Sequence, residues 1–403
     1  MQINPQLFDL FKQYAELDTS LSDGSTYATA INILEPTLES IGFKTQRLEI
    51  PETIAGKKHR VHLLARRIVD TTSPTLLIYN HMDVVPAPYK NGFTFRIEDG
   101  YVYVRGAADH KGSTIAVLDG LQKLFVKKAK LRFNLIFLLT TDEETSQLPQ
   151  LEYLAQHLQI DPSNTFCFDP DTFAGGITTS HLGIFQCKVI AHGTSVHSGM
   201  SHLGVNAVES LLALWPSLEK IKHKYTSLKS SAISFPKDGT TEEVRSGLNA
   251  NMISGGIATN VVPDYAELLL DVRLAPELDV ETERSWVRKQ LENATATSRA
   301  NIEIVDGEVF EGYACSHPEI DRFESILHRI SGESGQYCVM GSTPVASWTK
   351  QLGIQHFGLG VGRYDSNMHG VNERCSIADM EVVSSVLQAY LTQEKSMLNS
   401  NQH

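Results

Sequence analysis

One stretch constrains this chain more than any other: FNLIFLL, residues 133 to 139, runs straight into TTDEET. A strand with one wet face alternates apolar and polar residues, whereas a nearly unbroken apolar run belongs to a strand covered on both sides, as in a central parallel sheet. TLLIYN, residues 75 to 80, has the same character. Between and around these runs, PQLFDLFKQYAEL, TYATAINILEPTLESIG (stopping at Gly42) and GSTIAVLDGLQKLFVKKA read as helices, which predicts an α/β layer structure. Ending the strand in Asp142, Glu143 and Glu144 needs compensation. Carboxylates at close range repel strongly wherever water is partly excluded, unless a cation or protons intervene. Most acidic runs are merely solvated faces, so the decision rests on what else reaches the same place.

From about residue 182 the texture changes. GIFQCKVIAH alternates, NAVESLLALWPSLEKI is helical, ANMISGG and AELLLDVRL are strands, DVETERSWVRKQLENA is helical and ANIEIVDG is a strand. That order of elements predicts a ferredoxin-like α+β unit. After about residue 310 the α/β texture returns with the helix PEIDRFESILHRISG and the strand QHFGLGVG. The predicted organisation is a catalytic domain, 1–180 and 309–403, interrupted by an inserted domain, 181–308. No repeat or low-complexity linker interrupts it, and the tail at 393–403 is expected to be frayed.

A chain of 403 residues favours two domains over one core. The net charge of -12, with no basic patch, argues against nucleic acid and anionic membrane as partners. No stretch approaches the roughly 18 apolar residues of a membrane span, and no leader pattern is recognisable, so a cytoplasmic location is expected. The five cysteines are scattered without CxxC spacing and read as small buried hydrophobes.

The polar residues at the predicted strand ends form a pattern. His81 and Asp83 follow TLLIYN, Asp109 lies in RGAADHKGS, Glu143 and Glu144 end the next strand, Asp169 and Asp171 end TFCF, and His369 lies in DSNMHGVNE. Open α/β sheets gather their sites at the carboxyl ends of strands, so these groups would share one cleft. A single histidine is usually structural, but five strand ends carrying such groups are a stronger signal. Two imidazoles with several carboxylates suit zinc or another divalent first-row ion, and a bridging carboxylate can hold two. Of two adjacent glutamates, one can bind metal while the other stays free as a base.

Those residues, with NHMDVVP, RGAADHKG, TTDEET, DPDT, GTSVHSGMSHLGVNAVE, GGIATNVVPD, DVR and HGVNE in that order, resemble the ArgE/DapE-type metallopeptidase and deacylase family. This family includes acetylornithine deacetylase, succinyl-diaminopimelate desuccinylase, aminoacylase and glutamate carboxypeptidase. The resemblance implies a zinc-peptidase-like catalytic domain with a central mixed sheet and an inserted dimerisation or lid domain. It implies a dinuclear hydrolase of N-acyl amino acids or of small peptides with a free carboxylate, working by metal-activated water. His81 and Asp169 would then bind one metal and Glu144 and His369 the other, with Asp109 bridging. The pair would be zinc, with cobalt or manganese as alternatives. Glu143 would be the general base, and Asp83 would orient the His81 imidazole. His197 would reach a partner subunit's active site and donate to the oxyanion, making a homodimer necessary, while Arg273 and Asn260 would hold a substrate carboxylate. A cis peptide between Asp109 and His110 is also implied.

Three departures from that pattern bear on substrate and ligands. GSTPVAS, with Pro344, stands where many deacetylases carry a GGTDAR-like stretch, and it resembles the dipeptidase-like branch, which keeps a metallo-dipeptidase as the alternative. The Asp169 position is more often glutamate, and Asp171 is close enough to compete as ligand. Val104 replaces the usual glycine before RGAAD, a change expected to be harmless. A non-catalytic binding homologue is the reading from another class; it would be expected to lack Glu143 or a ligand, and all are present. Asp142, with no chemical role assigned, is expected to be a structural hydrogen-bond acceptor.

Overall fold

The structure, a computed structural model, describes residues 3–20, 23–56, 59–145, 148–341 and 343–392; the tail expected to be frayed lies outside the described residues. Among the described residues, nine strands form the main sheet. In spatial order they are Lys44–Glu49, Val61–Arg67, Asn134–Leu139, Thr75–Ile78, Thr165–Asp169, Gln355–Gly358 and Ile177–His181, the last pairing also with Tyr313–Ala314 and Gln336–Val339. The middle four are mutually parallel and the flanks include antiparallel pairs, so the sheet is mixed. Every residue of Asn134–Leu139 is buried, as its unbroken apolar run requires.

Helices cover the sheet and make the parallel crossovers. Gly112–Val126 connects toward Asn134–Leu139, and Leu148–Leu158 leads from there to Thr165–Asp169. The helix Gly112–Val126 packs on Ile377–Leu391 so closely that a Cβ on Gly120 would lie 2.9 Å from the Ser384 carbonyl oxygen. Only glycine permits that approach.

The inserted unit carries a separate four-stranded antiparallel sheet in the order Gly247–Gly255, Tyr265–Leu274, Gly183–His192, Asn301–Phe310. Numbered along the chain this is 2-3-1-4, the ferredoxin-like arrangement expected from the element order. Phe185, Val189, Leu218, Leu270 and Leu291 belong to its own core. One expectation fails locally: NAVESLLALWPSLEKI is two helices, Ala207–Leu212 and Trp215–Ser227. Pro216 explains the break, since its ring clashes with the carbonyl four residues back and it has no N–H to donate; it sits instead in the first turn of the second helix, where neither matters. The main sheet resumes immediately after the insertion, where Tyr313–Ala314 pairs with Ile177–His181 from before it.

Candidate metal centre

The parallel strands end at one level, which is what places distant carboxylates and imidazoles together. A parallel bridge between His81 and Thr140 extends the pairing of Thr75–Ile78 with Asn134–Leu139 past their formal ends. His81 therefore emerges beside the loop carrying Glu143 and Glu144. Its Nδ1 lies 3.0 Å from the Asp83 carbonyl oxygen and 3.5 Å from Asp83 Oδ1. The other Asp83 oxygen accepts the Glu144 backbone N–H at 3.0 Å, so Asp83 joins both loops.

Asp109 arrives from a kinked turn, Ala107–Lys111, in front of Gly112–Val126; Asp109 and His110 have non-helical backbone angles there, and the peptide between them is cis. The His81 backbone N–H donates to His110 Nε2 at 2.7 Å. His369 comes from the loop after Gln355–Gly358 and has a positive φ of 62°.

Two overlapping groups of donor atoms result: His81, Asp109 and Asp171, and Asp109, Glu144 and His369, each set lying within 4.8 Å of one another. His81 Nε2 is 3.3 Å from both Asp109 Oδ1 and Asp171 Oδ2. His369 Nε2 is 2.8 Å from Asp109 Oδ2 and 3.3 Å from Glu144 Oε2. Asp109 thus faces one imidazole with each carboxylate oxygen.

Burial works against the charge on His81, but Asp109, Asp171 and Asp83 outweigh it and push its pKa well above the usual imidazole range. Asp109 and Glu144 push His369 up to about 11. Burial, reinforced by the charge on Asp109, raises Glu144 and Asp171 to about 7 each. The site therefore balances its negative charge with protons where no cation does so. Its donor chemistry fits divalent ions: His81 Nε2, Asp109 Oδ1 and Glu144 Oε1 are buried without a hydrogen-bond partner among the described residues. A buried orphan of this kind costs about 1–3 kcal/mol, more when charged, and coordination would remove that cost.

Glu143 lines the same cavity of about 540 Å³ as Asp109, Glu144, Asp171 and His369, yet belongs to neither group of donors. Burial, then the neighbouring carboxylates Asp171, Glu144 and Asp109, raise its pKa well above the usual range. Arg273, from the inserted unit, lines this cavity too, its Nε 2.8 Å from Asp271 Oδ1. His197 and Asn260 do not line it; they are exposed on the inserted unit, where the Ser198 N–H donates to the Asn260 carbonyl at 2.9 Å.

Of the two aspartates that compete for one ligand position, the structure brings Asp171 and not Asp169 toward His81. Asp169 is outside both donor groups, and Asp171 belongs to the one with His81 and Asp109. Asp169 is the last residue of its strand and its Oδ1 accepts the Asp171 N–H at 2.9 Å, while Pro170, which has no N–H for the ladder, ends the pairing and lets the chain turn toward the cleft. Asp142, as expected of a structural acceptor, takes hydrogen bonds from Arg60 Nε and from Gln150 Nε2, the latter at 2.6 Å.

Sequence reasoning missed Arg105 and Glu373, both 1% exposed and paired with one another. Glu373 also accepts the N–H groups of Gly106, Ala108 and Asp109 at 3.0, 3.0 and 3.1 Å, and Arg105 donates to the His369 carbonyl at 3.0 Å. The signal was present as charged residues inside RGAAD and HGVNE, but it reads as surface charge until the two loops are brought together.

A family model described as peptidase family M20/M25/M40 matches residues 77–393. The chain is similar to succinyl-diaminopimelate desuccinylase of Gluconacetobacter diazotrophicus, with 26% identity covering 90% of this chain and 91% of the relative. It is 27% identical to acetylornithine deacetylase of Proteus mirabilis, over 83% and 84% of the two chains. In fold it is similar to a tripeptidase from Staphylococcus aureus, with a TM-score of 0.78 and 21% identity over 97% of this chain and 98% of that one.

Proposed function

The chain belongs to peptidase family M20/M25/M40, and from that premise we propose that it hydrolyses the amide of an N-acyl amino acid, or of a short peptide with a free carboxylate. The observation that carries this reading is the placing of Asp109 between two groups of donor atoms, with the unengaged Glu143 in the same cavity. His81, Asp109 and Asp171 would hold one divalent ion and Asp109, Glu144 and His369 a second, zinc being the first choice and cobalt or manganese the alternatives. When bound, such ions polarise the scissile carbonyl and lower the pKa of water.

The protein's own groups do the rest. The Glu143 carboxylate takes a proton from the attacking water as the C–O bond forms at the amide carbon, and returns it to the nitrogen as the C–N bond breaks. Asp83 holds the His81 ring by the Nδ1 side, which leaves Nε2 directed at Asp109 and Asp171. Arg273 lines the cavity with a guanidinium suited to a substrate carboxylate, and its contact with Asp271 fixes its direction.

His197 and Asn260 lie on one exposed patch of the inserted unit, away from the cavity of their own chain. This supports a homodimer in which His197 donates to the oxyanion in the partner's cavity, with Asn260 beside it holding the substrate carboxylate. Five free cysteines, and the absence among the described residues of any helix long and apolar enough to cross a membrane, support a cytoplasmic setting. Thr343 and Pro344 on the cavity wall, from the departing GSTPVAS stretch, favour a dipeptidase or carboxypeptidase as the second reading.

The test is release of free amine from N-acetyl, N-succinyl and N-formyl amino acids and from dipeptides, with and without chelator. Chelator-sensitive turnover of one class supports the reading and selects the branch. No turnover of any class by protein carrying two ions would point to a binding protein instead.

A further inference from the structure

Next to Asp171 lies a buried polar chain that the hydrolytic reading does not use: Asp169, His356 and Thr349, all fully buried. His356 is held on every side but one. Its N–H donates to Tyr313 Oη at 2.6 Å, its carbonyl accepts from Cys315 Sγ at 2.8 Å, and its Nδ1 lies 3.2 Å from Thr349 Oγ1. Thr349 spends its one hydroxyl hydrogen on the carbonyls of Val345 and Ala346, both at 3.0 Å. Its oxygen is therefore the acceptor and His356 Nδ1 the donor. That tautomer leaves Nε2 of the neutral ring as an acceptor.

The remaining direction points at Asp169. His356 Nε2 and Asp169 Oδ2 are 3.4 Å apart, and neither has a hydrogen-bond partner among the described residues. The other oxygen, Asp169 Oδ1, accepts the backbone N–H of Asp171. The geometry points to Asp169 and His356 as positioning residues that fix the backbone at Asp171 so that its carboxylate faces His81 and Asp109. Asp169 on this account is a carboxyl group kept for orientation, with His356 as the wall that sets its own direction. The inference rests on the assignment of Asp171 as a metal ligand under the proposed function.

The two aspartates then differ in what they need. Asparagine at 169 keeps an oxygen for the Asp171 N–H and offers an N–H to the unpartnered His356 Nε2, so it preserves the one contact and can satisfy the other atom; asparagine at 171 replaces a charged donor by a neutral one. The experiment measures zinc bound per chain by equilibrium dialysis at graded free zinc, and the absorption spectrum of the cobalt-loaded protein, for wild type, Asp169→Asn, Asp169→Ala and Asp171→Asn. Asp169→Asn is expected to retain two ions and the wild-type cobalt spectrum. Asp171→Asn is expected to lose one ion, and Asp169→Ala to weaken one by about 10–100-fold, the usual size of an outer-shell effect. Equal loss in the two asparagine variants, or greater loss at 169, overturns the inference by making Asp169 itself a ligand, and wild-type affinity in Asp169→Ala overturns it by removing any role. If Asp169→Ala does not fold, the order of the two asparagine variants decides alone. Wild-type protein that binds no metal would sink the proposed function, an outcome separate from any ranking of the variants.

Discussion

The carboxylate of Glu373 accepts the backbone N–H of Asp109 at 3.1 Å across 264 positions of sequence. Through this contact the loop that presents the shared carboxylate is fixed to the loop that presents His369, and Arg105 closes the arrangement from the other side. Removing Glu373 leaves the buried Arg105 guanidinium without its counter-charge and three backbone N–H groups without their acceptor. Glu373→Ala is therefore expected to cost about 3–5 kcal/mol of stability, read as a lower denaturant midpoint, with Glu373→Gln milder because it keeps an acceptor for the N–H groups.

Glu143 lines the cavity without joining either donor group, so its removal separates metal binding from turnover. Glu143→Gln is expected to bind the same number of ions and to lose about 10²–10⁴-fold in kcat. Metal analysis beside steady-state rates checks both halves, and unchanged turnover would remove Glu143 as the base.

His197 is exposed and does not line the cavity of its own chain. His197→Ala is expected to lower turnover with both ions still bound. Mixing it with Glu143→Gln should restore activity, because some heterodimers then combine an intact cavity with an intact His197 from its partner. Mixtures that stay inactive although heterodimers form would count against the shared site.

Arg273 is expected to bind substrate in the ground and transition states alike. Arg273→Lys keeps the charge and loses the planar fork, so KM should rise roughly tenfold or more with little change in kcat. A fall in kcat at constant KM would place Arg273 elsewhere in the reaction.

The metal-free protein should lose stability as pH rises above neutrality. Glu144 and Asp171 are raised to about 7 in the folded state from ordinary carboxylate values near 4. A raised pKa gives stability that is complete below the unfolded value and is lost as pH rises through the folded one. The imidazole of His369, raised to about 11, adds a loss that begins above its unfolded pKa of 6.5 and extends to higher pH. Below about pH 6.5 this loss is opposed by His62, His110, His181 and His356, which burial keeps neutral in the fold and which therefore add stability as pH rises toward their unfolded value. Thermal midpoints of chelator-treated protein should thus fall from about pH 6.5 to 8. Saturating zinc should reverse that trend, because binding requires the ionised carboxylates and neutral imidazoles that higher pH supplies. A chelated protein that grows more stable across this range would refute the account.

Much of this molecule follows from local sequence. The unbroken apolar run at 134–139 has no stable place except a doubly covered strand, and the element order of 183–310 leads to the 2-3-1-4 sheet. His81, Asp109, Glu144 and His369 were legible as candidates because each closes a recognisable strand, turn or loop motif, and side-chain type at a strand end is a local property. What the sequence could not decide was direction. Asp169 and Asp171 are two residues apart and chemically identical; which one faces His81 depends on where the ladder ends at Pro170 and on His356, 187 residues beyond Asp169, occupying the space behind. Arg105 and Glu373 become a single buried pair only when two distant loops meet. Composition and periodicity report how each segment is covered, whereas the aim of a buried polar side chain is set by partners that only the folded chain brings within hydrogen-bonding distance.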